Sequence, residues 1–281
     1  MKVFLPNESK MQVGGGWSFL NSLKKGMGDL ITDDYEQSDT LFVSGASMVK
    51  PEVIEDAKRS GRRIILRCDN ILRHSRNGGK GMERMRRMAA VSDLVVYQCE
   101  WAKSILDDFL GHPNSTIIYN GVDLNVFKPD GPKIKFGESP VYLYASASKG
   151  ENKGWNTAWY DYQQVQKDYP SALLLIVGNV STDVKDNKFD FFQGEHFKYL
   201  GMINNPGDMA IAYRSADRFY AVAQFDCYSN AVLEALACGL ELVSISHTGG
   251  MPELLKNWSK GREFNSLERM TAQYEESIMA L

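Results

Sequence analysis

The sequence predicts an α/β protein built from two Rossmann-like βα domains. Short, continuously apolar runs alternate with amphipathic helical patterns along the 281 residues, which is typical of parallel strands covered on both faces. One segment, residues 123–140, interrupts this alternation with three prolines, two glycines and no regular period, as expected for a connection between domains. Because the alternation then restarts, two domains in tandem fit the pattern better than one large sheet.

The first half of the chain supplies the elements of the first predicted domain. Strands are expected at residues 2–6, 40–45, 63–68, 94–99 and 116–121. Helices are expected at residues 14–28, after a glycine turn, and at residues 50–61 and 100–111. The helix at 50–61 has a proline in its first turn and a glycine at its end, which are usual start and stop signals.

The second half repeats the alternation and ends in a helix. Strands are expected at residues 141–146, 172–178, 197–201, 218–223 and 240–245, with helices at 157–168, at 208–216 and in the stretch that begins near Asp226. In the tail, apolar residues recur at three- and four-residue steps, namely Leu267, Met270, Tyr274, Ile278 and Leu281, so one helical face must pack on another surface. We expect this helix to pack back on the first domain. The predicted boundaries are 1–125, 126–262 and 263–281.

Composition excludes several classes of protein. A hydrophobic fraction of 43% and a charged fraction of 24% indicate a globular chain, and the net charge of −3 gives no overall attraction to nucleic acid or anionic membranes. The four cysteines, Cys68, Cys99, Cys227 and Cys238, show no close pairing, which favours reduced core thiols over a disulfide or zinc framework. No run approaches the roughly 18 apolar residues of a membrane span, and the N-terminus is too polar for a signal peptide. A soluble cytoplasmic protein is expected.

Four turns between a strand and a helix carry residues suited to anion binding, at 14–16, 146–154, 226–230 and 247–253. In parallel sheets ligands bind outside the carboxyl ends of the strands, and glycine turns that open a helix leave N–H groups free for an anion. Each turn taken alone is a weak signal, because a triple glycine is often only a flexible loop and Lys149 and Lys153 would also suit a solvated loop.

The stretch DCYSNAVLEALACG, residues 226–239, places Asp226 and Glu234 eight residues apart, with a polar bridge between them. An ordinary helix with acids near its positive N-terminal end would explain the pair, since each is worth a few tenths to about 1 kcal/mol there. A functional interpretation therefore depends on the rest of the chain.

Five motifs in chain order resemble the retaining family 4 group of the GT-B glycosyltransferases. They are YNGVDLNVFKP at 119–129, NKGW at 152–155, LLLIVG at 173–178, FKYLG at 197–201 and DCYSNAVLEALACGLELVSISHTGGMPE at 226–253. Residues 93–106 also fit. The resemblance implies two Rossmann-like domains facing a cleft, with the nucleotide-sugar donor on the second domain and the acceptor entering from the first.

The resemblance assigns roles to the motif at residues 226–239. Asp226 stands where the family has a glutamate, and by this resemblance it reaches hydroxyls of the transferred sugar, while Glu234 holds the ribose of the nucleotide. Backbone N–H groups of Tyr228, Ser229 and Asn230 are expected to contact the sugar and the diphosphate. The shorter Asp226 leaves open which sugar is held.

Further residues match the family's diphosphate site. Lys153 matches the diphosphate-binding lysine, and Lys149 is the best substitute for a partner arginine that this segment lacks. The pairs Gly15 and Gly16, and Gly249 and Gly250, match the family's glycine turns. In the first domain, Asp69, Asn70 and His74 are candidates for the group near the reacting sugar; we select Asp69, and a structural role for any of them stays open.

The expected activity is that of a retaining, hexosyltransferase-like enzyme that moves a sugar from a UDP- or GDP-sugar to an acceptor hydroxyl. No cofactor and no metal are expected, because Asp-x-Asp is absent and the histidines are scattered at 74, 112, 196 and 247. Two alternatives stay open: a sugar-nucleotide 2-epimerase, which shares this architecture, and a non-catalytic nucleotide-sugar binding module.

The basic segment, residues 58–88, holds eleven Lys and Arg residues against two acids. It is either a solvated face balanced by acids elsewhere or a surface that attracts a polyanionic or lipid-diphosphate acceptor, or an anionic membrane carrying it. Nucleic acid with a hydroxylated base ranks lower, because the segment lacks the interleaved aromatic residues that stack on bases. A glycan or lipid-linked acceptor is therefore expected, with possible peripheral membrane association through residues 58–88.

Overall fold

The chain forms two compact units. The computed structural model describes residues 1–6, 14–71, 80–137, 139–147, 151–179, 193–194 and 196–281. The first unit comprises Met1–Gly121, Asp226–Tyr228 and Gly249–Leu281, and the second comprises Val122–Phe225 and Ser229–Thr248. Each unit contains its own sheet of mainly parallel strands, so the predicted α/β class with two Rossmann-like domains is confirmed.

The helices and strands alternate along the chain as the sequence predicts. In chain order they are β1 (Val3–Phe4), α1 (Gly15–Met27), β2 (Ile31–Thr32), β3 (Thr40–Val43), α2 (Pro51–Arg59), β4 (Arg63–Arg67), α3 (Lys80–Val91), β5 (Leu94–Tyr97), α4 (Glu100–Leu110), β6 (Ser115–Ile117), β7 (Val141–Ser146), α5 (Trp155–Asp168), β8 (Leu173–Gly178), β9 (Gln193–Gly194), β10 (Phe197–Gly201), α6 (Pro206–Arg214), β11 (Arg218–Tyr220), α7 (Asn230–Ala237), β12 (Glu241–Val243), α8 (Met251–Trp258) and α9 (Leu267–Met279).

The sheet of the first unit has the strand order β2-β1-β3-β4-β5-β6, and all neighbouring strands are parallel. Successive residues of a strand point to opposite faces, so Ile64 and Leu66 pack into one apolar cluster with α2 and α3, while Ile65 packs into the other with α1 and α9. Burial on both faces explains why the strands are continuously apolar in sequence.

The C-terminal helix α9 completes the first unit. Its apolar stripe, Leu267, Met270, Tyr274 and Ile278, is buried against α1 and the sheet. The Tyr274 ring stands edge-on to the rings of Phe19 and Phe42, with centroid distances of 5.8 and 5.2 Å. The prediction that this helix packs back on the first domain is confirmed.

The sheet of the second unit has the strand order β12-β11-β7-β8-β10-β9, parallel except for the β9–β10 pair. One face of this sheet packs an aromatic core that contains Tyr142, Tyr144, Tyr162, Tyr220 and Trp155. Such large rings each bury much apolar surface, so they contribute strongly to the core of this unit.

The structure differs from the sequence expectations in several places. Helix α3 was not predicted, because its buried Met85, Met88 and Ala89 are outnumbered by the charged residues around them. The two-residue strands β2 and β9 were not predicted either. Most other strands are shorter than the apolar runs, which continue into the turns, whereas β7 and β10 have the predicted bounds. Residues 249–262 lie with the first sheet, whereas the predicted second domain extends to 262.

Candidate functional site

In the first unit, Asp69 follows the carboxyl end of β4 and lies against Gly45, which follows β3. A Cβ atom on Gly45 would stand 2.4 Å from the Asp69 Cγ atom, so only glycine leaves room for this carboxylate. Burial raises the pKa of the Cys227 thiol well above its usual range, and the charges of Asp226 and Asp69 raise it further. Two of the acids predicted for the site therefore lie near the same buried thiol.

The predicted glycine turn opens α1. Gly14 adopts a φ of 94°, a conformation that glycine tolerates and other residues rarely adopt, and the helix begins at Gly15. Among the described residues, none would lie within 4 Å of a Cβ atom on Gly15, whereas a Cβ atom on Gly16 would lie 3.6 Å from the Met48 sulfur.

A buried polar network crosses the carboxyl end of this sheet, and the sequence analysis did not find it. Arg67, only 3% exposed, donates to the Ser44 carbonyl at 3.1 Å and to Asn120 Oδ1 at 2.9 Å. Asn120 Nδ2 donates to Gln98 Oε1 at 3.0 Å, and Gln98 Nε2 donates to the Cys68 carbonyl at 2.8 Å. An arginine inside an otherwise apolar strand was the signal that could have revealed this network.

The segment Asp226–Tyr228 is held by three successive backbone carbonyls. The Gly250 N–H donates to the Asp226 carbonyl at 2.8 Å, the Cys99 thiol donates to the Cys227 carbonyl at 2.8 Å, and Asn120 Nδ2 donates to the Tyr228 carbonyl at 2.8 Å. A Cβ atom on Gly250 would stand 1.8 Å from the Cys227 oxygen. Glycine at 250 is therefore required by this close approach.

Glu253, the last residue of the motif at 226–253, contacts Tyr119, the first residue of the motif at 119–129. Its carboxylate accepts hydrogen bonds from the Glu100 N–H at 3.0 Å, from the Trp101 N–H at 3.3 Å and from the Tyr119 hydroxyl at 2.8 Å. An acid at the start of a helix satisfies free N–H groups and suits the helix dipole. Glu253 on α8 thus fixes the start of α4 to the end of β6, a role that the sequence analysis missed.

In the second unit, Lys153 lies in the turn between β7 and α5. The next residue, Gly154, has a φ of +73° and would place a Cβ atom 2.5 Å from the Val222 carbonyl oxygen. The Gln224 N–H donates to the Asn152 carbonyl at 2.7 Å, and the Tyr144 hydroxyl donates to the Lys153 carbonyl at 3.1 Å. The lysine is therefore carried on a backbone that two neighbouring strands hold in place.

Phe225, next to Asp226 in the chain, has a φ of 53°, which is unusual for a residue with a large side chain. Its N–H donates to Thr248 Oγ1 at 3.0 Å, and Thr248 Oγ1 lies 2.9 Å from Ser246 Oγ. These bonds join the turn after β11 to the turn after β12. The conformation of the chain just before the motif at 226–239 is thereby fixed.

Helix α7 begins at Asn230, with Ser229 at its N-cap position. Asp226 therefore lies before the helix rather than in its first turn, contrary to the interpretation of both acids as residues of the helix start. Glu234 is half-buried, and its Oε2 accepts a hydrogen bond from the Tyr213 hydroxyl at 3.0 Å. Burial raises the pKa of Glu234 from its ordinary value near 4.5 to about 7, and the Tyr213 hydrogen bond opposes that shift.

The predicted site residues fall into two groups. The first unit holds Gly15, Gly16, Asp69, Asp226, Tyr228, Gly249 and Gly250, and the second holds Lys153, Ser229, Asn230 and Glu234. Lys149 and His74 lie outside the described residues. The Tyr228 side chain is buried beside Tyr119, at a centroid distance of 5.3 Å, so only its backbone could contact a ligand.

Most of the basic side chains in the described part of residues 58–88 form ion pairs or hydrogen bonds within the chain. Lys58 pairs with Asp93 at 2.7 Å, Arg87 with Glu55 at 2.6 Å and Arg62 with Glu36 at 3.4 Å, while Arg67 is buried and Arg84 donates to the Val49 carbonyl. Because these cations are paired or buried within the chain, a surface balanced by nearby acids explains them better than a surface that attracts an anionic acceptor. Arg73 and Arg76 lie outside the described residues.

The residues that the structure describes contain neither a cluster of metal ligands nor a membrane-spanning helix. No three His, Cys, Asp or Glu side chains there come together as metal ligands. No helix in that part of the chain combines the length and apolar character needed to cross a membrane.

The chain superposes on solved structures over most or all of its length. It matches the Anabaena protein HepE, solved with UDP-glucose, with a TM-score of 0.74 and 14% identity over 100% of both chains. It matches sucrose-phosphate synthase from Thermosynechococcus elongatus with a TM-score of 0.64 and 13% identity, over 98% of this chain and 94% of that one. The pneumococcal O-GlcNAc transferase GtfA, solved with UDP and GlcNAc, matches with a TM-score of 0.62 and 9% identity, over 86% of this chain and 56% of that one. These likenesses confirm the predicted GT-B fold.

A match between the sequence and a family model identifies the family of this chain. A search of curated proteins found no significant match, but the family model described as glycosyl transferases group 1 matches residues 129–270, just over half of the chain. The matched range contains Lys153 and both acids of the motif at 226–239. The chain belongs to the glycosyl transferases group 1 family.

Proposed function

We propose that this protein is a retaining glycosyltransferase that uses a nucleoside-diphosphate sugar and transfers the sugar to an acceptor hydroxyl. The observation that carries the proposal is the family match across residues 129–270, which spans Lys153, Asp226 and Glu234. HepE was solved with UDP-glucose, so UDP-glucose is the first donor to test and GDP-sugars are the second.

The proposed donor contacts follow from the chemistry of each group. Glu234 accepts hydrogen bonds from ribose hydroxyls, and Asp226 accepts them from the transferred sugar, since vicinal hydroxyls suit a carboxylate. The diphosphate lies against Lys153 and, by the same argument, Lys149. The N–H groups at the starts of α1, after Gly15 and Gly16, and of α7 favour its negative charge.

The proposed reaction breaks the bond between the sugar and the diphosphate and forms a bond to the acceptor oxygen on the same face of the sugar. Negative charge builds on the departing diphosphate, and Lys153 stabilises it electrostatically, an effect that dominates many active sites. The acceptor proton passes to a phosphate oxygen of the leaving group, which balances the reaction. Metal-independent transfer is part of this proposal, because lysines and helix N-termini take the role of the cation. Asp69 is the proposed first-domain group near the reacting sugar.

Thermal-shift screening of UDP- and GDP-sugars followed by a turnover assay tests the proposal. A bound donor raises the melting temperature, and transfer should persist in EDTA and give a product with the anomeric configuration of the donor. Conversion of the donor sugar without any acceptor would indicate a 2-epimerase. Binding without transfer or donor hydrolysis would indicate a binding module, and inversion of the anomeric centre would exclude the retaining mechanism.

The proposed acceptor is a glycan or a lipid-linked glycan, with the protein in the cytoplasm and in peripheral contact with an anionic membrane. What supports an anionic acceptor is the excess of cations in residues 58–88, although several of them are paired within the chain. Replacing Arg73, Arg76 and Lys80 together should raise the acceptor KM severalfold and leave donor affinity unchanged, with transfer weakening as salt is added. An acceptor KM that responds to neither change would point to a neutral acceptor.

A further inference from the structure

Tyr213 is a fully buried tyrosine whose hydroxyl donates a hydrogen bond to Glu234. It lies near the end of α6, and it is 0% exposed. Its ring packs against Phe127 and Phe219, with centroid distances of 6.1 and 5.7 Å. The hydroxyl is thereby directed to Glu234 Oε2 at 3.0 Å. A buried phenol keeps its proton, since burial raises the pKa of Tyr213 well above its usual range, so it acts as the donor in this bond.

Glu234 is the better-exposed partner of this pair. The residue is half-buried on α7, and its Oε2 accepts a hydrogen bond from the Tyr213 hydroxyl. Among the described residues, the titratable groups that influence the pair are these two and Cys238, which directly follows α7. A carboxylate tied at one oxygen can no longer turn freely about its last side-chain torsion, and the conformational entropy of fixing it is already lost before a ligand arrives.

We propose that Tyr213 is a positioning residue that holds Oε2 of Glu234 so that Oε1 is presented to the vicinal hydroxyls of a nucleotide ribose. The inference rests on the proposed function, in which Glu234 is the ribose-binding acid. It adds a residue that touches no ligand and yet sets how strongly the site distinguishes a ribonucleotide from its 2′-deoxy form.

Calorimetry with UDP and 2′-deoxy-UDP, and with GDP and 2′-deoxy-GDP in parallel, tests this role. The wild type should bind the ribonucleotide about tenfold more tightly than the deoxy form, since one hydrogen bond to a charged group is lost. Glu234→Gln should remove most of that preference, and Tyr213→Phe should reduce it to about threefold or less. Tyr162→Phe is the matched control, because Tyr162 is equally buried in the same unit and donates to the Ala172 carbonyl at 2.7 Å; it should keep the tenfold preference.

The double variant Tyr213→Phe/Glu234→Gln shows whether Tyr213→Phe lowers the ribose preference through Glu234 or through a general loss of stability. Since Tyr213 acts only through Glu234, the double variant should lose no more ribose preference than Glu234→Gln alone. An additive loss would overturn the positioning role. So would a Tyr213→Phe variant that keeps the full preference while Glu234→Gln loses it, and in that case the proposed function would stand.

A ligand-free titration separates this inference from the proposed function. In Tyr213→Phe the pKa of the Glu234 carboxyl, followed by NMR or infrared difference against Glu234→Gln, should rise, because the hydrogen bond that lowers it is gone. Tyr162→Phe should leave it unchanged. If the wild type binds neither UDP nor GDP, the proposed function and the ribose role both fail, and the titration decides whether Tyr213 controls the carboxylate.

Discussion

Asp226 and Glu234 form one motif in the sequence, but they belong to different compact units and are held by different means. Asp226 is placed through its backbone, whose carbonyl accepts from the Gly250 N–H, and through the two carbonyls that follow it. Glu234 is placed through its side chain, by a regular helix and the hydroxyl of Tyr213. A motif of fixed spacing can thus depend on two unrelated sets of contacts.

This difference predicts which substitutions disturb the position of Asp226 and which disturb that of Glu234. The contacts that hold the segment Asp226–Tyr228 come from residues far away in the sequence, at 99, 120 and 250, so changes there should disturb the first acid. The contact of Glu234 comes from α6, 21 residues earlier, so changes in α6 should act on the second. Four substitutions or conditions test this separation.

The largest effect is expected for Asn120→Ala. It removes the hydrogen bonds that Asn120 makes to Arg67 Nη2, to Gln98 Oε1 and to the Tyr228 carbonyl, and each buried group left unpaired costs about 1–3 kcal/mol. The free energy of unfolding, measured in urea, should fall by about 4 kcal/mol. Asn114→Ala is the control: Asn114 donates to the Asp93 carbonyl at 2.7 Å from an exposed position, and its loss should stay below about 1 kcal/mol. Equal losses would show that the buried network stabilises nothing.

Gly250→Ala should cost about 3 kcal/mol, at the upper end of the usual cost of overpacking, because the new Cβ would stand 1.8 Å from the Cys227 oxygen. Gly81→Ala is the matched control in α3, where a Cβ would meet none of the described residues within 4 Å and alanine favours a helix. Turnover should fall in Gly250→Ala, while nucleotide affinity, which depends on Glu234, should change little. A parallel loss of both would mean that the two acids are not held independently.

Lys153→Ala should lower kcat roughly 100-fold at saturating donor, because a charge that acts on the leaving diphosphate is lost. Donor affinity should change less than kcat. Lys167→Ala, an exposed lysine on the neighbouring α5 that bonds Gln164, should keep normal turnover. Steady-state kinetics with the identified donor measures both variants, and near-normal kcat in Lys153→Ala would make this lysine an ordinary loop residue.

The smallest effect is a pH dependence from Glu234. Its pKa rises from near 4.5 to about 7 on folding, so its contribution to stability is fully present below pH 4.5 and is lost as the pH rises through 7. Because Glu234 as a residue is only partly buried, we expect the wild type to lose about 2 kcal/mol more than Glu234→Gln between pH 5 and pH 8. Chemical denaturation at the two pH values measures this, with the exposed glutamate variant Glu268→Gln as a control that should follow the wild type. Parallel curves for the wild type and Glu234→Gln would contradict the raised pKa.

Much of the fold could be predicted because its signals are local. The apolar runs at β3, β4 and β5 are continuous, since both faces of a parallel sheet are buried, and the stripe on α9 repeats at helical spacing. Helix α3 was missed, because its three buried residues are Met and Ala among many charged neighbours, so its apolar period is weak. Of the site, the glycine turns and the acids at 226 and 234 were visible as residue types at a spacing, while Tyr213 and Glu253 were not.

The sequence by itself determined the two-domain α/β class, the order of the elements and the family motif, because each depends on residues close together in the chain. Only the tertiary structure decided that Asp226–Tyr228 belongs with the first unit, that Gly250 is required by a backbone approach, and that Arg67 donates hydrogen bonds to the Ser44 carbonyl and to Asn120 Oδ1. It also decided that the Glu234 carboxylate accepts a hydrogen bond from the hydroxyl of the buried Tyr213. These are contacts between residues distant in sequence, and their energy depends on burial and on distances between atoms, which no local pattern of residue types records.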